Sequence, residues 1–187
     1  MWVVWIVVGV LAVIAVYTGW TFNRLVALYK RAEAAWSDID VQLKRRWDLV
    51  PSLVATVKGY ASHESSTLES VVEARSRAEQ TASANPAGRG ERERGLASAV
   101  GKIFALAEAY PDLKANQNFL DLQKNLTEIE DNVQYARRYY NAVVRDLNTL
   151  VESVPSKFVA NATGFTVRDY FQLDSESERA VPQVKLS

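Results

Sequence analysis

The sequence predicts an all-α protein. An N-terminal transmembrane helix continues into an antiparallel up-and-down four-helix bundle, and an extended C-terminal tail follows. Three observations carry this. Trp2 to Phe22 holds no charged side chain, and the first is Arg24. Apolar residues then recur at steps of three and four through several long stretches, the period of one helix face. Five prolines and eight glycines in 187 residues are few for a loop-rich β-fold.

The uncharged run fits a membrane because an α-helix rises about 1.5 Å per residue, so about 20 residues match a hydrocarbon core of about 30 Å. Trp2 and Trp5 mark one end and Tyr17, Trp20 and Phe22 the other, where amphipathic rings meet headgroups. A cleaved signal peptide is the competing reading. Against it, no Lys or Arg precedes the run, and no A-x-A pattern closes it. Arg24, Lys30 and Arg31 follow directly, so the positive-inside rule places Met1 outside and the rest in the cytoplasm. The absence of cysteine fits a reducing compartment without deciding it.

Beyond the anchor, Leu25, Leu28, Ala32, Ala35, Ile39, Leu43, Trp47 and Val50 share one face, opposite Lys30, Glu33, Asp38, Gln42 and Arg45. Asp40 and Lys44 are spaced for an i,i+4 ion pair. Pro51 favours a tight turn, because proline removes a backbone donor and clashes with the preceding turn, while the 3–4 spacing stays nearly in phase across it and leaves a kinked continuous helix open. A second helix follows through Leu53, Val57, Leu68, Val71 and Ala78, ending in the turn-forming residues 83–90. A third spans roughly 92–109 through Leu96, Val100 and Ile103. Pro111 then stops it, and Asp112 is placed to cap the fourth, 113–152, which Pro155 closes. Residues 1–23 are thus the anchor, 24–154 the bundle and 155–187 a mostly extended tail, packed in part through Phe158, Phe165, Tyr170 and Phe171.

Several runs resemble the LemA family. They are residues 35–46, AWSDIDVQLKRR; 48–54, DLVPSLV; 57–64, VKGYASHE; 108–119, EAYPDLKANQNF; and 136–141, ARRYYN. Gly164-Phe165 and Tyr170-Phe171 match as well. The resemblance covers nearly the whole chain apart from the alanine-rich stretch at 82–95. It implies an N-terminal anchor, an out-to-in topology and a helical domain, and brings no established catalytic activity. A relative among the proteins of magnetosome membranes makes membrane organisation the nearest functional analogy.

The sequence carries few residues arranged for catalysis or metal binding. His63-Glu64 lacks the second histidine of a zinc-protease helix, since position 67 is Thr. With one His and no Cys, zinc would need a carboxylate-rich site that it rarely accepts. Asp38 and Asp40 near Glu33, and Glu128, Glu130 and Asp131, could serve acid–base work or a hard cation, yet read as solvated helix faces. Gly88-Arg89-Gly90 lacks the continuation of a phosphate loop and reads as a plain loop. Tyr135, Tyr139 and Tyr140 beside Arg137 and Arg138 read as interhelix packing. The balance of 22 basic and 22 acidic residues argues against a nucleic-acid partner. No catalytic, cofactor or metal residue is assigned, and no cofactor is expected.

Lys44-Arg45-Arg46 is the sharpest basic cluster. It lies about 30 Å beyond the membrane exit on a straight helix, so salt bridges within or between bundles are favoured over lipid contact. The expectation is a non-enzymatic, single-pass protein of the bacterial cytoplasmic membrane, whose cytoplasmic bundle self-associates into a membrane-organising scaffold. Asp38, Asp40, Lys44, Arg45 and Arg46 are the interface candidates, and Trp36, Trp47 and the tail aromatics offer further contact surface. The alternative is an adaptor presenting clients or signals to another membrane protein, such as a protease. The lipid bilayer and further copies of the chain are the expected partners.

Overall fold

The computed structural model describes residues 1–80 and 86–172. Six helices account for most of them: α1 Trp2–Lys58, α2 Ser65–Gln80, α3 Pro86–Ala107, α4 Pro111–Lys114, α5 Gln117–Glu152 and α6 Ser156–Thr163. No strand occurs among the described residues. The all-α class and the long apolar N-terminal helix stand as the sequence predicts.

Pro51 does not turn the chain. It lies inside α1, which continues to Lys58. A proline in a helix orphans the carbonyl four residues earlier, here that of Trp47. That carbonyl accepts a hydrogen bond from Arg75 Nε of α2 at 2.8 Å, so α1 continues with its orphaned acceptor satisfied. The break comes instead at 59–64, where Gly59 follows the last helical residue and Ala61 N–H bonds back to the Val57 carbonyl at 2.9 Å.

Three other boundaries move. Gly88, Arg89 and Gly90 are not a loop but belong to the first turns of α3; the preceding residues 81–85 lie outside the described residues. The long fourth helix is preceded by the single turn α4, with Pro111 at its first position. Its cap is Asn116 and not Asp112: the Asn116 Oδ1 accepts the Phe119 N–H at 3.0 Å, as an N-cap side chain does. The segment after Pro155 opens with α6, which periodicity had not marked. Gly164 ends it in the left-handed conformation, φ 78°. The Phe165 and Gly164 amides bond to the carbonyls of Ala160 and Asn161, a Schellman closure that favours glycine. Residues 173–187 of the expected tail lie outside the described residues.

The chain divides into two compact units, and α1 and α5 contribute to both. In the first, residues 1–38 and 138–169, Leu25 and Leu28 of α1 pack with Leu147 and Val151 of α5 and with Val159 and Ala160 of α6. Trp36 stacks on the buried Tyr140 with ring centroids 5.2 Å apart. The segment after α6 is held to α5 by Asn148, whose amide donates to the Arg168 carbonyl (2.9 Å) and accepts its N–H (2.8 Å). The Arg168 guanidinium lies 4.2 Å from the Tyr29 ring centre. Residues Val3 to Val16 of α1 are exposed on every side.

In the second unit, residues 39–137 and 170–172 among the described residues, α1, α2, α3 and α5 bury Ile39, Leu43, Leu53, Val71, Leu96, Ile103 and Val133. Phe171 is fully buried here. Gly90 is required by a close approach: a Cβ there would collide with the Gln172 backbone. Of the four tail aromatics, Phe171 and the partly buried Phe165 pack as expected, whereas Phe158 and Tyr170 are exposed. Trp36 and Trp47 are spent on internal packing and offer little outer surface.

Candidate functional site: a buried guanidinium–carboxylate cluster

The second unit contains a charged core. On α3 the buried stripe runs Arg89, Glu93, Leu96, Val100, Ile103, Ala107, all at steps of three and four. On α1 the corresponding stripe runs Ile39, Leu43, Arg46, Val50, Leu53 and Val57. Helical phase alone therefore carries Arg46, Arg89 and Glu93 inward. Buried charges survive only when paired, and these are.

Glu93 is completely buried. Its Oε1 accepts the Trp47 indole N–H at 2.9 Å, and its Oε2 lies 3.5 Å from an Arg46 amino group. The second amino group of Arg46 reaches Glu130 of α5, whose other oxygen accepts from Gln134 at 2.9 Å. Arg89 lies 5.6 Å from the Trp47 ring centre and pairs with Asp40. Trp47 thus sits at the middle, with its N–H on Glu93, its ring under Arg89 and its carbonyl on Arg75.

Burial pushes the Glu93 carboxyl up from 4.5 to about 6. Arg46, the Trp47 N–H and Arg89 pull it down, and Glu130 adds a smaller upward push. Desolvation outweighs the attraction of two guanidiniums, as is usual for a buried ion pair. A carboxyl poised near neutrality could exchange a proton, but the cluster holds no serine, cysteine or histidine for it to activate. Its contacts tie α1 to α3 and α5. Beside Arg46 and Glu130 opens a cavity of about 240 Å³, lined otherwise mainly by Val100, Phe104 and Leu126.

The interface candidates do not share one surface. Arg46 is buried in the cluster, and Asp40 is committed to Arg89 instead of Lys44. Lys44 pairs with Asp48 at 2.9 Å. Asp38, Lys44 and Arg45 remain exposed. Among the other acidic residues, Glu33 is engaged by Lys30 at 2.8 Å and Arg168 at 4.0 Å. His63 sits exposed in the turn before α2. Among the described residues no three His, Asp or Glu side chains gather as a metal site would require. Trp2, Trp5 and Trp20 are exposed along α1 and Tyr17 is half-buried, while Phe22 also meets Phe165, centroids 6.2 Å apart.

Comparison with known proteins bears on the whole arrangement. The LemA family model matches residues 35–186. The chain belongs to the LemA family. Every residue of the charged cluster lies inside the matched region, and the apolar segment of α1 precedes it. Magnetosome protein MamQ of Magnetospirillum gryphiswaldense is 22% identical over 174 residues, covering 80% of this chain and 64% of the relative. Two further MamQ proteins, both of Paramagnetospirillum magneticum, are 23% identical over 192 residues, covering 89% of this chain and 71% of each relative. This LemA-family chain therefore spans 64–71% of the length of these relatives.

Arg89 and Glu93 carry no sequence motif, yet the signal was present. Extending the α3 stripe back from Leu96 by three and seven residues lands on both, and a charge in a buried phase implies a buried partner.

Proposed function

We propose that this chain is a non-enzymatic, single-pass membrane protein whose helical domain self-associates into a membrane-organising scaffold. One observation carries the membrane part: α1 is long and apolar enough to cross a bilayer, and its apolar residues from Val3 to Val16 are exposed on all sides rather than packed into a core. A segment with a whole apolar circumference is stable only where its surroundings are apolar. The basic residues Arg24, Lys30 and Arg31 support a topology with the N-terminus outside and the domain in the cytoplasm of a bacterial cell. The same helix continues without a break into the packed units, so neighbouring copies would be held in a common orientation. The resemblance to magnetosome proteins supports a role in membrane organisation.

The test is the mass of the full-length chain extracted in mild detergent, by light scattering with particle imaging. The scaffold predicts large, regular particles. A monodisperse monomer would refute it. A second reading, the adaptor, is favoured by one observation: an open groove of about 530 Å³ between the end of α1 and α2, lined by Val54, Lys58, Leu68, Val72 and two glutamates. It predicts a small assembly in detergent and a protein crosslinked at this groove.

A further inference from the structure

Within the first unit, the depth of each element relative to the apolar segment can be read from its contacts. Trp36 of α1 meets Tyr140 of α5. Following α1 back from Trp36 to Leu28 and Leu25 means following α5 forward from Tyr140 to Leu147 and Val151, where all four share one cluster. One more turn back along α1 reaches Phe22, while α5 ends at Glu152, one residue past Val151, and residues 153–155 form the corner that leads into α6. Two observations agree. Phe165, just past α6, meets both Phe22 and Tyr29 edge-on, with ring centroids 6.2 and 5.8 Å away, and Thr21 is fully buried. Packed protein therefore reaches down at least to Thr21, inside the uncharged run.

Given this membrane reading of α1, the hydrocarbon boundary falls near Phe22, and the headgroup layer covers the following turn or so. The α5–α6 corner is then inside that layer. Two large apolar side chains stand outward there: Val154, just before α6, is 72% exposed, and Phe158, on the side of α6 away from the buried Ser156 and Ala160, is 68% exposed. Trp20 and Phe22, also exposed, stand at the same level, with Arg24 lying 5.7 Å from the Trp20 ring centre. Lys157 and Glu152 flank the corner, both exposed.

We propose that the α5–α6 corner is a second, shallow membrane contact, in which Val154 and Phe158 insert among the lipid headgroups beside the exit of the spanning helix. Its partner is the lipid surface itself. Two attachments, one spanning and one interfacial, would fix the rotation of the first unit about α1, which a single helix leaves free.

The chain has no cysteine, so single-cysteine variants can report depth. Val13→Cys, Phe158→Cys and, as an exposed apolar control on α2, Val72→Cys would each carry an environment-sensitive fluorophore. The full-length chain is placed in phosphatidylethanolamine–phosphatidylglycerol vesicles containing lipid with a doxyl quencher high or deep in the acyl chain. The expected result is loss of fluorescence at 158 mainly with the shallow quencher, at 13 mainly with the deep one, and at 72 with neither. A quenched 13 with an unquenched 158 overturns the corner and leaves the anchor standing. An unquenched 13 overturns the anchor and the corner with it. Quenching at 72 equal to that at 158 also overturns the proposal, because the contact would not be confined to the corner.

Discussion

At the residue scale, Glu93 gives the sharpest consequence of the buried cluster. Its folded-state pKa of about 6 exceeds its ordinary 4.5, so between these values the folded chain holds a proton that the unfolded chain has released. Stability contributed by this group is fully present below pH 4.5 and is lost as pH rises through 6. The difference amounts to roughly 2 kcal/mol. Unfolding free energies of the native chain and Glu93→Gln, compared from pH 4 to 7.5, should therefore diverge in that window, the native chain losing ground as pH rises. Glutamine keeps an acceptor for the Trp47 N–H, so packing is retained, and a pH-independent difference would refute the assignment. Arg46 is the complementary case. Arg46→Met strips the buried Glu93 of its nearest cation and leaves Glu130 without its partner, at a cost of about 3–5 kcal/mol. Combined with Glu93→Gln the loss should be well below the sum of the two, because the stranded charge is gone; strict additivity in denaturant melts would argue against the pairing.

At the scale of elements, α1 was legible from its uncharged run and later stripe, but its length was not. The rule that proline ends a helix rests on an orphaned carbonyl, and here Arg75, distant in sequence, satisfies it. A double-mutant cycle isolates this. In Pro51→Ala the new amide can reach the Trp47 carbonyl, so Arg75→Met should cost about 1 kcal/mol less there than in the proline background. Equal costs would show that Arg75 does not rescue the helix. The inward charges of the cluster were hidden for a related reason. Lys44-Arg45-Arg46 reads as one patch in sequence, yet successive helix positions point about 100° apart, and the third residue falls on the buried face. The segment after α6 was legible only as scattered aromatics, because no period distinguishes those that pack. Phe171, fully buried beside the tightly approached Gly90, fastens it. Phe171→Ala should cost about 3–5 kcal/mol, measured by thermal or denaturant unfolding, whereas the same change at the exposed Phe158 should hardly alter the stability of the chain in detergent.

At the scale of the whole molecule, self-association can be separated from folding because the structure sorts the original five interface candidates. Arg46 and Asp40 hold the chain's own helices together, so altering either tests stability before it tests assembly. Lys44 and Arg45 are exposed, and among the described residues Lys44 is engaged by Asp48, one turn away on the same helix. Exposed ion pairs of this type contribute little to a fold. The variant Lys44→Glu/Arg45→Glu should therefore keep its helix content and its melting transition while reversing the charge that one copy presents to the next. If α1 aligns copies and these side chains bind between them, the detergent-extracted variant should shift from large particles towards single chains, increasingly so at low salt where like charges repel over longer distances. An unchanged particle mass with an intact melting transition would remove Lys44 and Arg45 from any interface. Assembly would then have to run through other surfaces, and exposed positions such as Val41, Tyr135 and Tyr139 would be the next to test by the same measurement.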